Sequence, residues 1–294
     1  MRAAPLPPRH LLLALAVVAV WGTNFVVIKW ALGTLPPLLL AALRFALAFA
    51  LGAPFVRRPA VGWRALATYG VLIGAGQFGL LYIAMRADIT PGLASLVVQT
   101  QVFFTIGLAM VVAGERLRGV HVVALALAAT GLALIAVHTD ANVTPLGIGL
   151  VLLAALAWAA GNLVAMRAGR VDMLGFMVWS SLFALPPLAL LSLLVEGPAA
   201  IAHGLSAAGP GVWVAVLWQS VGNTLFGYGV WAWLLARHLA VAITPMALLV
   251  PVFGIAASAL LLGEALPAWK LVAVMLVLAG LALNLLWPRC LARS

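Results

Sequence analysis

The stretch Gly114-Glu115-Arg116-Leu117 ends one apolar run of the chain, and Gly263-Glu264-Ala265-Leu266 ends another run 149 residues later. At the same offset, Gly131-Leu132-Ala133-Leu134 matches Gly280-Leu281-Ala282-Leu283, and 10 of the 21 positions in 114–134 are identical to their counterparts in 263–283. An apolar composition raises such a count, but it does not explain the shared polar Gly-Glu pair. The chain is therefore predicted to be an internal duplication.

The composition predicts an integral membrane protein. Of the 294 residues, 66% are hydrophobic and only 7% are charged, with a mean hydropathy of +1.22. Soluble domains carry about 25% charged residues, so this balance excludes that class. The formal net charge of +10 is assigned to arginines in cytoplasmic loops, and we expect no nucleic-acid partner. A single cysteine, Cys290, excludes an intrachain disulfide and a cysteine-based metal site, and no cofactor or metal is predicted.

Ten segments are long and apolar enough to cross a bilayer, which takes about 20 residues as a helix. The fold class predicted is an all-α integral membrane protein with ten transmembrane helices. The apolar stretch before Pro210 leaves room for one extra interfacial turn. The predicted spans are 11–31, 36–56, 64–86, 91–113, 120–137, 146–167, 173–194, 210–236, 240–262 and 268–287.

The distribution of lysine and arginine predicts the orientation of these spans, because cytoplasmic loops carry the excess of both. With the N-terminus in the cytoplasm, 12 of these residues lie inside, three lie outside and Arg44 lies within a span, which accounts for all 16. The three outside are Lys29, Arg86 and Lys270. Both termini are then cytoplasmic.

The same topology makes the duplication inverted. Residues 11–137 form a first repeat of five helices and residues 146–287 form a second, so an odd number of spans reverses the second half. Many transporters place their substrate site between two inverted repeats and expose it alternately to the two sides.

Arg44 is the main candidate for substrate binding. It is the ninth residue of its span, about 12 Å from the external end at 1.5 Å per residue, and so near the midplane. An arginine at that depth costs several kcal/mol unless it faces a cavity or a partner. We leave two interpretations open: the guanidinium binds a substrate carboxylate, or it ties helices together.

Side-chain amides form the second group of candidates. A small polar substrate with a carboxylate would suit them together with Arg44, although interhelical hydrogen bonding is the alternative interpretation for each amide. Gln99 and Gln101 should point about 200° apart on a helix, so at most one should face a common cavity. The candidate amides are Asn24, Gln77, Gln99, Asn162 and Asn223, with Gln101 and Gln219 in the same polar set.

The aromatic residues within the spans, Trp158 foremost, could line the pathway or could serve in packing and in the interfacial belt. Enzyme signatures are missing: there is no His-Glu-x-x-His pattern, and no serine within a span has a mid-membrane histidine to serve as its base. We therefore predict that the protein is not an enzyme.

Several motifs together resemble the EamA family of the drug/metabolite transporter superfamily. The first is Trp21-Gly22-Thr23-Asn24-Phe25-Val26-Val27-Ile28-Lys29 with Leu43-Arg44-Phe45, and the second is Gly92 to Gln99 with Gly114-Glu115. Gly227-Tyr228-Gly229 and Leu248 to Val252 with Gly263-Glu264 continue the likeness, which covers essentially the whole chain. The first two runs are most similar to the bacterial branch that exports O-acetylserine and cysteine.

The resemblance implies two inverted EamA repeats in the bacterial inner membrane and the export of O-acetylserine, cysteine and related amino acids. The partners expected are a small-molecule substrate and the lipid bilayer. The alternative is a broad-specificity exporter of drugs or aromatic metabolites on the same fold. Energy coupling and oligomeric state are left open, with a homodimer among the alternatives.

Overall fold

The computed structural model describes residues 7–113, 119–138, 142–169, 171–238 and 243–291. Within these ranges the chain forms helices joined by short loops and no strand, which confirms the all-α prediction. The first Gly-Glu loop of the duplication, 114–117, lies outside the described residues.

Eleven helices follow one another along the described chain. They are α1 (Pro8–Ala31), α2 (Pro37–Gly52), α3 (Trp63–Ala87), α4 (Pro91–Val97 with Gln101–Ala113), α5 (Gly119–Ala136), α6 (Pro145–Arg167), α7 (Met173–Leu191), α8 (Gly197–Ala207), α9 (Pro210–Leu217 with Gly227–Arg237), α10 (Thr244–Leu262) and α11 (Ala268–Leu291).

Seven helical segments of the described chain are long and apolar enough to cross a membrane. They are Pro8–Ala31, Trp63–Ala87, Pro91–Leu108, Gly119–Ala136, Pro145–Arg167, Met173–Ala207 and Thr244–Leu262, and Pro37–Gly52 and Ala268–Leu283 are shorter apolar helices. A helix satisfies its own backbone hydrogen bonds, which is why apolar sequence in a bilayer takes this form. Large apolar side chains such as Phe55, Val111 and Leu260 are exposed on the outer surface, as lipid-facing residues must be.

Helix starts follow local sequence. Proline occupies the first turn of α1, α2, α4, α6 and α9, where its missing N–H costs no hydrogen bond. The side chain of Asp172 accepts hydrogen bonds from the backbone N–H groups of Leu174 and Gly175 and so caps α7. Before Pro210, where the sequence predicts room for one extra interfacial turn, the structure has an 11-residue helix, α8, which begins earlier, where Gly197 adopts a φ of 82°.

A π-helical segment, Ser192–Glu196, joins α7 to α8. Two helices, α3 and α9, also contain π-helical segments, at Leu72–Gly79 and Trp218–Phe226. These segments share a sequence pattern at an offset of 148 residues, because Gly74, Phe78 and Gly79 match Gly222, Phe226 and Gly227. A 3₁₀ turn, Val98–Thr100, likewise interrupts α4, and another, Thr244–Leu248, begins α10. The irregular segments of α3 and α9 thus recur at the offset of the sequence pattern, whereas Ser192–Glu196 corresponds to regular α-helix in α2.

Helices α5 and α11 pack through two equivalent contacts, in which a glycine of one helix faces a backbone carbonyl of the other and the roles of the two helices are exchanged. A Cβ added to Gly131 would lie 2.9 Å from the Ala273 carbonyl oxygen, and a Cβ added to Gly280 would lie 2.5 Å from the Ala124 carbonyl oxygen. Each pair joins a late residue of one helix to an early residue of the other, so the helices cross antiparallel. Since the second pair is the first shifted by 149 residues, a local two-fold axis relates the two contacts.

The bundle has two ends that the contacts define. At the end called here the His10 end, His10 Nδ1 lies 2.6 Å from His238 Nε2. At the opposite Lys29 end, Lys29 Nζ donates to the backbone oxygens of Met85 and Arg86, each at 2.9 Å. These carbonyls end α3, where a cation is favourable.

Candidate functional site

A central cavity of about 710 Å³ lies among α1, α3, α4, α6, α9 and α10. The residues that line the cavity near the Lys29 end are buried, and Ile28 and Leu81 are each 1% exposed. At the His10 end, the lining residue Met166 is 62% exposed. The cavity therefore opens at the His10 end and is closed at the Lys29 end.

Glu264 is the centre of a set of polar contacts at the Lys29 end. Its carboxylate accepts hydrogen bonds from Thr90 Oγ1 at 2.5 Å, from the Gly92 N–H at 3.0 Å and from Ser258 Oγ, and it pairs with Lys270 Nζ at 2.9 Å. Two of these donors belong to the start of α4, where the helix dipole also favours an anion. The contacts tie the α10–α11 loop to α4, and we call them the Glu264 clasp.

The clasp keeps the carboxylate ionised. Burial by itself raises the pKa of Glu264, but the hydrogen bonds from Ser258, Thr90 and Lys270, with the Lys270 charge, lower it more. The net pKa lies below the ordinary value of 4.5. Both side chains of the ion pair are 7% exposed.

Arg44 is held inside the protein wall of the cavity. Its guanidinium donates to Tyr82 Oη at 2.9 Å, to Asn223 Oδ1 at 2.8 Å and to Thr224 Oγ1 at 3.3 Å. It also lies over the ring of Phe78, 3.8 Å from the centroid. Arg44 is 1% exposed and is not among the residues that line the cavity.

Neutral oxygens, rather than a carboxylate, surround this buried charge. Tyr82 donates onward to Gln219 Oε1, and Ser220 Oγ donates to the Arg44 backbone oxygen at 3.0 Å. The network joins α2, α3 and the π-helical segment of α9. Its Thr224 and Ser220 members are not predicted from the sequence, because hydroxyl groups within apolar spans carry no signal of their own, and Tyr82 is predicted only as one of the aromatic residues that could line the pathway.

The predicted amides separate into two groups according to their partners. Asn162 Nδ2 donates to Gln101 Oε1 at 2.9 Å and to Thr105 Oγ1 at 3.1 Å, which links α6 to α4. Asn223 is engaged by Arg44. Both residues line the cavity, but part of their hydrogen-bonding capacity is used within the protein.

The remaining amides, Asn24, Gln77 and Gln99, line the cavity and make no hydrogen bond to another described residue. Asn24 and Gln77 are each 3% exposed, and their amide oxygens, Oδ1 and Oε1, are buried without a partner. An unsatisfied buried polar atom costs about 1–3 kcal/mol. These oxygens are therefore groups that a polar ligand could satisfy.

Both Gln99 and Gln101 line the cavity, so the prediction that at most one would do so is wrong. The 3₁₀ turn Val98–Thr100 lies between the α-helical parts of α4. A 3₁₀ turn advances about 120° per residue instead of 100°. Two side chains that are two residues apart are separated by about 200° on an α-helix, which is about 160° by the shorter way round, and by only about 120° on a 3₁₀ turn. A broad cavity can then contact both.

Aromatic side chains form one wall. Trp21 lies 5.5 Å from Tyr228 and 5.1 Å from Trp231 between ring centroids, and Trp158 lines the cavity from α6. Trp21 Nε1 donates to the Asn223 backbone oxygen at 3.1 Å, within the π-helical segment. Among the described residues, no group of three or more histidine, cysteine or carboxylate side chains could hold a metal ion.

Comparison with known proteins gives consistent findings. The model of the EamA-like transporter family matches residues 9–137 and 145–286. A probable amino-acid metabolite efflux pump of Salmonella typhimurium is 40% identical over 279 residues, which cover 92% of this chain and 93% of that protein. A probable amino-acid metabolite efflux pump of Escherichia coli strain K12 is 39% identical over the same shares.

A solved crystal structure has a similar fold. It superposes with a TM-score of 0.59 over 94% of this chain and 96% of that chain, at 19% sequence identity. At this identity the likeness concerns the fold alone.

Proposed function

Because this chain belongs to the EamA-like transporter family, we propose that it exports small amino-acid metabolites, namely O-acetylserine, cysteine and related compounds, by alternating access. It is a multi-pass transporter of the bacterial inner membrane and not an enzyme. The two relatives with about 40% identity are probable amino-acid metabolite efflux pumps, which supports the class of cargo.

The observation that carries the proposal is the central cavity itself. Asn24, Gln77 and Gln99 present amide groups into it without protein partners, and no acidic or basic side chain is among the described residues that line it. Amides can both donate to a carboxylate and accept from an ammonium group. One end of the cavity is open and the other is closed, as expected of one state of an alternating-access cycle.

The topology belongs to the same proposal. Ten spans form two inverted halves, 11–137 and 146–287, with both termini in the cytoplasm, so the His10 end faces the cytoplasm. The antiparallel contact of Gly131 with Ala273 and of Gly280 with Ala124, and the recurrence of π-helical segments in α3 and α9, support this arrangement. In this state the cavity would load substrate from the cytoplasm.

The aromatic wall favours a second candidate, a broad-specificity exporter of drugs or aromatic metabolites. Trp21, Trp158, Tyr228 and Trp231 line a cavity of about 710 Å³, large enough for an aromatic ligand. On this alternative, overproduction would confer resistance to unrelated toxic compounds, and amino acids would not compete with them.

Uptake of labelled O-acetylserine and of labelled cysteine into inside-out membrane vesicles tests the proposal. We expect saturable uptake that is absent from vesicles without the protein. Repeating the assay with an imposed pH gradient distinguishes proton coupling from facilitated export. If neither compound enters vesicles that contain folded protein, the proposed cargo is wrong.

A further inference from the structure

We propose that Arg44 recognises the substrate carboxylate indirectly: it orients the Asn223 amide so that Asn223 Nδ2 donates to that carboxylate. Arg44 is then a positioning residue, and Asn223 is the group that contacts substrate. The inference rests on the proposed function, since it assumes that the cargo is a small amino-acid metabolite.

Direct contact between Arg44 and a ligand is not what the geometry offers. Both terminal nitrogens of the guanidinium are engaged, by Tyr82, Asn223 and Thr224, and the ring of Phe78 covers one face. The third nitrogen, Nε, has no hydrogen-bond partner but is buried. Phe78 and Asn223 line the cavity, whereas Arg44 does not. The charge therefore lies one layer behind the surface that a substrate would touch.

The orientation of the Asn223 amide follows from chemistry. A guanidinium can only donate hydrogen bonds, so the Asn223 atom 2.8 Å from Arg44 Nη2 must be the oxygen. The amide nitrogen then points away from Arg44 and makes no hydrogen bond to a described residue. Because Asn223 lines the cavity and is 6% exposed, Nδ2 is available there as a donor.

The charge of Arg44 strengthens this donor and selects its ligand. The contacts of Arg44 include no carboxylate, so its positive charge is uncompensated in a region of low dielectric. A carboxylate at Asn223 is attracted to that charge and a cationic group is repelled. A substrate with its carboxylate blocked loses this attraction.

Acceptors for the ammonium end of an amino acid lie on neighbouring helices. Asn24 follows Trp21 by one turn of α1, and Trp21 bonds the Asn223 backbone oxygen. Gln77 directly precedes Phe78, which lies against Arg44. The buried, unpaired oxygens of Asn24 and Gln77 line the same cavity as Asn223, and with its amide nitrogen they supply the acceptors and the donor that a zwitterion needs.

The substitution Asn223→Asp separates recognition from structure. An aspartate keeps the bond to Arg44 and even strengthens it, but it removes the donor and cancels the charge. We expect the apparent affinity for O-acetylserine in the vesicle assay to fall roughly 10- to 100-fold, the range for one hydrogen bond to a charged group. The affinity for O-acetylserine methyl ester, a cation without a carboxylate, should not fall, because the variant removes the charge that repels it.

Asn162→Asp is the matched control, because it places a carboxylate in the same cavity at a residue that bonds Gln101 and not Arg44. It should leave the preference for acid over ester in place. Arg44→Gln should lose that preference, and Arg44→Lys, which keeps the charge and can still donate to Asn223, should restore part of it.

The outcomes separate this inference from the proposed function. Export by the wild-type protein of carboxylates other than amino acids would overturn the proposed cargo and leave the role of Asn223 intact. Wild-type export of O-acetylserine with the acid preference unchanged in Asn223→Asp would overturn the inference. Equal transport of acid and ester by the wild-type protein would overturn it as well.

Discussion

At the residue scale, the same side-chain type plays different roles in different surroundings. Asn162 ties two helices, Asn223 is oriented by Arg44, and Asn24 has no protein partner. The sequence identifies these amides because they are polar in apolar spans. It cannot assign their roles, since the partners of Asn223 and Asn162 lie more than 50 positions away along the chain.

Glu264 is a second case. The Gly-Glu motif places a carboxylate at a helix end, and from the sequence a loop cap or an ion pair is the favoured role for it. The sequence could not identify Thr90 and Ser258 as partners, because Thr90 precedes a helix that is distant in sequence. The clasp depends on tertiary packing of α4 against α10.

The first prediction concerns the pH dependence of stability at Glu264. A carboxyl group whose pKa is lower in the folded protein stabilises the fold above its unfolded pKa, and this contribution is lost as the pH falls through the folded value. Wild-type protein should therefore exceed Glu264→Gln in thermal stability by a constant amount above pH 4.5, and the difference should shrink below it. Thermal unfolding in detergent across this pH range measures the difference.

Lys270→Gln is the control, since it removes the cation and leaves the carboxylate with its hydrogen bonds. It should show a smaller loss of stability than Glu264→Gln and a similar acid dependence to the wild type. A difference between wild type and Glu264→Gln that grows as the pH falls would show that the clasp does not hold an ionised carboxylate.

At the element scale, the helices themselves could be read from the sequence and their irregular turns could not. Apolar runs of span length predict where helices lie, and α3 and α6 begin and end within one residue of their predicted bounds. The π-helical segments of α3 and α9 depend on backbone hydrogen-bond register, which hydropathy does not report. These segments carry Gln77 and Asn223, as π-bulges at functional sites often do.

The second prediction tests the two-fold contact between α5 and α11. Gly131→Ala and Gly280→Ala each place a Cβ within 3 Å of a backbone carbonyl on the opposite helix, so each should destabilise the protein by about 1–3 kcal/mol. Because the contacts are related by the duplication, the two losses should be similar in size. Chemical or thermal unfolding in detergent measures them.

The control is Gly149→Ala in α6, where a Cβ would meet nothing within 4 Å. Alanine favours helix over glycine by about 1 kcal/mol, so this variant should be neutral or slightly more stable. A large loss for one of Gly131→Ala and Gly280→Ala with none for the other would contradict the symmetric contact.

At the scale of the whole molecule, we propose that an inverted duplication allows a short chain to form a transport pathway. The motif at 114–117 and 263–266 indicated the duplication from the sequence alone. The state of the cavity could not be predicted in that way, because opening at the His10 end and closure at the Lys29 end depend on how the helices tilt against one another. We propose that the Glu264 clasp, which lies at the Lys29 end, keeps that end closed.

Accessibility of the cavity from each side of the membrane tests the central claim most directly. Ala165 lines the cavity near its open end, so Ala165→Cys can be labelled in a protein whose single native cysteine, Cys290, is replaced by serine. A membrane-impermeant maleimide should label it in inside-out vesicles and not in right-side-out vesicles, and O-acetylserine should protect it. Adding Glu264→Gln should allow labelling from the periplasmic side. Equal labelling from both sides without Glu264→Gln, or labelling from the periplasmic side alone, would contradict a cavity that is open to the cytoplasm and closed by the clasp.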